Sequence, residues 1–348
     1  MLSQALVTQT KLREMTMFLR KRNTAVVETE DQVLVVADAP EAPKKAKSKY
    51  SLDSFPLRPP LPLPEGVSRA ELFDWLKSVR VSDAPESIAG YCVQDFERFV
   101  QTFGLVQRAT ANSRDALTGL ELGGNPYFST MLLRNFTSID WRLGNYFGDQ
   151  IPKGEAKQRV YMDEFRKPGS KTHVDLTYSH FNIEEDTFPF ESESLDVVLF
   201  CEIIEHLLND PCRVLREIKR VLRKDGTLVL TTPNVNRIEN VARMIVGTNM
   251  YDPYSGFGPY GRHNREYNKH ELYLLLNYLG FTVDEIFSAD VHDNMTNLYL
   301  DPDKFGHLIE YRKHDLGQYI FIRARKTGED KGKKPAWLYR SYEPAELE

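Results

Sequence analysis

Glu202, Glu205 and His206 stand immediately after the apolar run Leu195–Cys201. The run has the character of a buried strand. In open α/β sheets ligands bind outside the carboxyl ends of such strands. Two carboxylates and an imidazole at that place can move protons, and all three are candidate catalytic groups. As a metal site the trio lacks support along the chain. No second histidine sits at ligand spacing, and a metal needs three or four convergent donors. A packing or capping role for His206 stands equally open.

A second group lies at 247–267, a stretch of about twenty residues containing Tyr254, Tyr260, Arg262, His263, Arg265 and Tyr267. Loops of that length inside a domain are usually functional or disordered. Rings and guanidinium groups suit the faces and hydroxyls of a sugar, or an anionic group beside it. His263 is the best candidate general base, because its ordinary pKa lies near neutrality. The competing reading is an ion-pair network of Arg262, Arg265 and Glu266 that only fixes the loop.

Strands are expected at 118–122, 138–143, 174–181, 195–201, 227–232, 282–288 and 318–323. Helices are expected near 127–136, 211–222 and 269–279, the second capped by Asp210 with Pro211 at its first position. Such alternation implies a largely parallel sheet with helices on both faces. Ahead of it, Ser68 and Glu71 form a capping box for a helix over 70–79, and 88–103 reads as a second helix. These make a helical cover, 67–117, on a main domain at 118–325.

Residues 1–66 read as a short basic helix followed by a proline-rich linker. Its lysines, Lys44, Lys45, Lys47 and Lys49, suit solvent, or peripheral contact with an anionic membrane or glycan. The tail, 326–348, carries a Trp337–Arg340 aromatic cluster that would serve as a buried anchor. The chain has 348 residues and a formal charge of −5. That balance argues against a nucleic-acid partner. No apolar run approaches the ~20 residues of a transmembrane helix. Three scattered cysteines fit a reducing, cytoplasmic compartment.

The block from Asp196 to Asn234, DVVLFCEIIEHL…DP…VLREIKRVLRKDGTLVLTTPN, resembles strand four, helix and strand five of class I S-adenosylmethionine-dependent methyltransferases. The resemblance extends over about 118–325. It implies a Rossmann-like, seven-stranded, mostly parallel sheet whose last strand is antiparallel. It also implies S-adenosylmethionine as cofactor and a methyl-transfer activity. The family's strand-one acid and glycine turn correspond to Glu121, Gly123 and Gly124, with Asn125 and Tyr127 replacing later glycines. The ribose position corresponds by spacing to Asn145, with Asp140 as the other candidate. The adenine position corresponds to Asn182 and Ile183; the neighbouring Glu184 and Glu185 read as exposed loop carboxylates. Cys201 and Glu202 would line the methionine end.

By analogy with similar bacterial enzymes, the acceptor is a sugar or glycan hydroxyl. Two alternatives stand beside it. One is N- or O-methylation of a small metabolite or nucleotide-linked sugar amine. The other is a catalytically inactive binding subunit in glycan assembly, suggested by the degraded glycine turn.

Overall fold

The computed structural model describes residues 25–29, 32–36, 61–82, 88–111, 113, 116–251, 259–312, 314–338 and 345. The expected helix at 1–22, the lysine run and Tyr254 lie outside them. The strands are β1 (Ala25–Thr29), β2 (Gln32–Val36), β3 (Arg80–Val81), β4 (Thr118–Leu122), β5 (Asp140–Asn145), β6 (Gly154–Glu164), β7 (Lys167–His180), β8 (Leu195–Cys201), β9 (Leu222–Pro233), β10 (Phe281–Ala289) and β11 (Tyr319–Lys326). The helices are α1 (Arg69–Leu76), α2 (Ile88–Thr110), α3 (Phe128–Phe136), α4 (Pro211–Val221), α5 (Ile238–Val246) and α6 (Lys269–Tyr278). Strands β1 and β2 form a separate antiparallel pair.

The main sheet has nine strands in the order β10-β11-β9-β8-β4-β5-β7-β6-β3. Its five central strands, β9 to β7, are parallel. Strand β11 is antiparallel between β9 and β10. Seven of the nine fill the expected pattern. The other two, β6 and β3, extend it beyond β7. Strands β5 and β7 are parallel, and no helix crosses between them: the chain turns through the antiparallel hairpin β6–β7 instead. This corrects the expectation of a simple seven-stranded sheet.

Side-chain alternation along β8 sorts the core. Val197 and Leu199 pack with α1, α2 and α3; Val198 and Phe200 pack with α4 and α6. This is the period of two expected of a strand buried on both faces. Helix ends follow their signals. Ser68 and Glu71 form the capping box, Asp210 accepts from Cys212 N at 2.9 Å, and Asn268 accepts from Glu271 N at 2.9 Å. Helix α2 runs seven residues past the expected end, and its inner face covers β9 and β11. Helix α5 had no counterpart among the expected elements.

Two peripheral expectations change. Leu61, inside the proline-rich stretch, is buried against Gly104, so the linker ends as part of the core. In the tail Leu338 is the buried residue, whereas Trp337 is exposed. Among the described residues no helix is long and apolar enough to cross a membrane.

Gly119 in β4 pairs with Trp141 in β5, and a Cβ on Gly119 would come within 2.5 Å of the indole. Gly119→Ala therefore overpacks the sheet centre, with an expected loss of about 1–3 kcal/mol in denaturant unfolding. An unchanged midpoint would contradict this packing.

Candidate active site

The carboxyl ends of β4, β5, β8 and β9 meet at one edge of the sheet. Strand β4 delivers Glu121, which is buried and accepts a hydrogen bond from the Thr130 hydroxyl of α3. Burial pushes its pKa up to about 7, against the smaller opposing effect of that hydroxyl. The chain then turns at Gly123, φ 65°, whose N–H donates to Gly144 O at 2.8 Å. A Cβ on Gly124 would lie 3.0 Å from Thr130 Oγ1 and 3.2 Å from the Glu121 carboxyl carbon. Glycine here keeps the turn tight over the acid.

The replaced glycines have a structural account. Tyr127 takes φ 70°, a conformation glycine adopts more readily, and its side chain is fully buried. Its hydroxyl donates to Gln158 Oε1 at 2.6 Å and accepts from Asn145 Nδ2 at 3.0 Å. Asn125, preceding a cis peptide bond to Pro126, donates from Nδ2 to the same Gln158 oxygen at 3.1 Å. Gln158 belongs to β6. The hairpin that replaces a crossover helix thus holds the turn. Asn125 thus commits its Nδ2 to this network.

Asn145 ends β5 in a buried position, and its Oδ1 has no hydrogen-bond partner. Asp140 is exposed at the other end of the strand. Asn182, after β7, accepts from Glu184 N at 3.0 Å and donates to Tyr260 Oη at 3.4 Å. Tyr260 meets Tyr146 edge to face, with centroids 6.0 Å apart. Ile183 is half-buried against the core. Glu184 is not an exposed carboxylate: it is buried and accepts from Leu208 N and Asn209 N at 3.0 and 2.7 Å. Partly buried Cys201 has its thiol pushed up to about 12 by burial.

A nucleoside-bearing cofactor fits this edge. Asn145 Oδ1 is a buried acceptor awaiting a donor such as a ribose hydroxyl. Gly123 and Gly124 permit close approach, and Glu121 can balance a cationic group. Asn145, Asn182, Ile183, Cys201 and Glu202 surround the same carboxyl edge.

Past β8 the chain turns at Glu202, φ 53°, into a single 3₁₀ turn at Ile204–His206. Glu202 accepts from Thr231 Oγ1 at 2.7 Å and Glu205 from Thr232 Oγ1 at 2.8 Å. Burial pushes both carboxyls upward; the Glu205 charge adds to the rise at Glu202, while His263 and Thr232 oppose the rise at Glu205. Glu205 Oε1 is buried and has no hydrogen-bond partner. The aromatic loop closes over this turn. Glu205 O accepts from Asn264 N at 2.8 Å and Arg265 N at 3.1 Å; His206 Nδ1 is 2.8 Å from Arg262 O. His263 comes to rest beside His206, with ring centroids 5.0 Å apart. Its Nδ1 lies 2.9 Å from Glu266 Oε1, and Arg237 binds the other oxygen of Glu266. Burial works against the Glu266 charge, yet the His263 and Arg237 contacts hold its pKa below the usual value.

The candidate acceptor residues divide. Tyr260, Arg262 and His263 lie along the edge. Tyr267 is fully buried in the core beneath the Arg265 guanidinium, which sits 5.1 Å from its ring centroid and pairs with Glu271. Tyr267 and Arg265 therefore anchor the loop, and neither offers a ring face or a fork to an acceptor. The ion-pair network exists, with Arg237 rather than Arg262 as partner of Glu266. Sequence reasoning missed Arg98. It is buried in α2, donates to Asp95 at 3.1 Å, and stacks 5.0–5.8 Å from Phe99, Tyr91 and Tyr319. Burial opposes its charge, but Tyr91, Glu202 and Asp95 hold its pKa well above normal. An Asp–Arg pair three apart on the apolar face of α2 was the available signal.

Residues 157–230 match a family described as a methyltransferase domain. Over 141 residues the chain is 38% identical to probable S-adenosylmethionine-dependent methyltransferases of two Mycobacterium tuberculosis strains, CDC 1551 and H37Rv. The match covers 40% of this chain and 46% of each relative, so it spans less than half of their length. Among solved structures, the chain is similar to a SAM-dependent methyltransferase from Archaeoglobus fulgidus (TM-score 0.40, 15% identity, 68% of this chain and 99% of that one). It is also similar to the CurJ carbon methyltransferase (TM-score 0.41, 14% identity, 70% and 59%).

Glu121 gives the site a pH signature. Its folded pKa, about 7, lies above the ordinary value of 4.5. Between those values the folded chain holds a proton that the unfolded chain has lost, so stability falls as pH rises. Glu121→Gln should match the native chain near pH 5 and exceed it by about 3 kcal/mol near pH 8 in urea unfolding. An equal gap at both pH values would contradict the assignment.

Proposed function

We propose that this chain, whose residues 157–230 match the methyltransferase-domain family, moves a methyl group from S-adenosylmethionine to a hydroxyl of a sugar, glycan or related small molecule. The observation that carries the reading is the acid–imidazole cluster of Glu202, Glu205, His206 and His263 at the edge that fits the cofactor. Bound there, S-adenosylmethionine supplies a methyl carbon activated by the sulfonium charge and leaves as a neutral thioether.

The protein's part is alignment, exclusion of water and proton removal. Asn145 Oδ1 accepts a ribose hydroxyl, Asn182 and Ile183 flank the base, and Glu121 faces the cationic amino-acid end under the Gly123–Gly124 turn. Tyr260 and Arg262 border the acceptor. A hydroxyl attacks a methyl carbon well only as it loses its proton. The His263 ring, oriented through Nδ1 by Glu266, offers Nε2 as the atom that takes it, with His206 beside it. The same groups would serve a metabolite hydroxyl or a sugar amine. A glycan acceptor is preferred because the Tyr260 ring stands two residues before Arg262 in the same loop, pairing an aromatic surface with a guanidinium. The reading is of a cytoplasmic enzyme, in keeping with three unpaired cysteines, two of them buried.

Calorimetry with S-adenosylmethionine should show binding to the native chain and at least ~10-fold weaker binding to Asn145→Ala, as expected for a lost buried hydrogen bond. No heat at millimolar cofactor would favour an inactive binding subunit. His263→Ala should keep cofactor affinity and lose about 10²–10⁴-fold in turnover. Mass spectrometry of glycans and metabolites from cells with and without the gene identifies the acceptor, which loses the mass of one methylene when the gene is absent.

A further inference from the structure

The histidine that chain spacing did not supply to His206 is supplied by the fold. One ligand atom each from Glu205, His206 and His263 lies within 4.8 Å of the others. We infer that these three side chains form a binding site for one divalent transition-metal ion. The inference deepens the reading of this cluster as the acceptor site and rests on that reading only for the ion's role.

Three independent features support it. Glu205 Oε1 is fully buried, has no hydrogen-bond partner, and lies 3.8 Å from His206 Nε2. Its sister oxygen is held by Thr232, so the carboxylate is oriented with a lone pair left over. Each imidazole is turned by an outer partner on Nδ1: the Arg262 carbonyl for His206, the Glu266 carboxylate for His263. That arrangement fixes each tautomer with Nε2 as the ligating nitrogen, the usual outer support of a metal-bound histidine. Finally, the backbone is clamped. Glu205 O takes two loop amides and His206 O accepts from Asn264 Nδ2 at 2.9 Å, so the site is built before an ion arrives.

Two imidazoles and one carboxylate select ions such as Mn²⁺, Co²⁺ or Zn²⁺ over Mg²⁺ or Ca²⁺, which prefer all-oxygen shells. Three protein ligands also leave a position open, the pattern of catalytic rather than structural sites. A hydroxyl oxygen of the acceptor taken into that position is acidified by the ion and releases its proton to water. With the ion bound, His263 Nε2 is a ligand and not the proton acceptor; in the ion's absence the same nitrogen takes the proton directly.

The test titrates the full chain, freed of metal with chelator, with Mn²⁺ alone, followed by electron spin resonance and calorimetry. One Mn²⁺ should bind per chain, displaced by Zn²⁺ and poorly by Mg²⁺. Spin-echo modulation from imidazole nitrogen should appear in the native complex. His206→Gln and His263→Gln should each weaken Mn²⁺ at least 10-fold at unchanged thermal midpoint. No binding at millimolar Mn²⁺, binding without nitrogen modulation, or binding indifferent to both substitutions overturns the site. The nitrogen signal needs no variant, so a variant that fails to fold leaves the test intact. Metal-free chain that still binds S-adenosylmethionine and transfers methyl at full rate removes the metal and keeps the methyltransferase reading.

Discussion

Two carboxylates, partly buried Glu202 and fully buried Glu205, stand three residues apart just past the end of β8, and burial pushes both pKa values upward. Burying a charge without compensation costs several kcal/mol, a large share of a domain's net stability. Much of the surrounding architecture answers that constraint. Strand β9 contributes the hydroxyls of Thr231 and Thr232. Helix α2 contributes Arg98, a buried guanidinium whose field reaches both acids. The aromatic loop contributes His263 and seals the turn with its own amides. The helical cover is therefore an electrostatic part of the site as well as a lid over one face of the sheet.

The β6–β7 hairpin shows a second coupling. Where a helix would cross from β5 to β7, the single strand β6 does so, and its Gln158 reaches Asn125 and Tyr127 in the turn after β4. A turn with fewer glycines keeps its shape because its tyrosine is buried and hydrogen-bonded. The degraded motif and the unusual crossover are two sides of one arrangement.

Legibility in the sequence followed the strength of local signals. Strand β8 was read to the residue, because an unbroken apolar run bounded by polar groups has one interpretation. The capping box at Ser68 and the caps at Asp210 and Asn268 likewise declare themselves locally. Strand β6 did not, because Ala156, Gln158, Val160 and Met162 alternate with charged and polar residues and present little apolar surface. Within the site, family resemblance points to Glu121, Asn145 and Asn182, and the structure places all three at or just past the carboxyl ends of β4, β5 and β7. The meeting of His206 with His263 was not: it depends on a loop folding back across the sheet edge, and spacing along the chain carries no trace of it. Tyr267 failed for the reverse reason, since a tyrosine among loop aromatics looks exposed until the core closes around it.

The central claim is that the cofactor lies over the carboxyl ends of β4 and β5 with its reacting end toward the acid–imidazole cluster. A crystal structure of the chain with S-adenosylhomocysteine, the demethylated cofactor, tests it most directly. In that complex a ribose hydroxyl should sit on Asn145 Oδ1, the adenine beside Asn182 and Ile183, and the sulfur facing Glu202 and His263. Ligand bound elsewhere, or an Asn145 oxygen still without a partner in the complex, would contradict it.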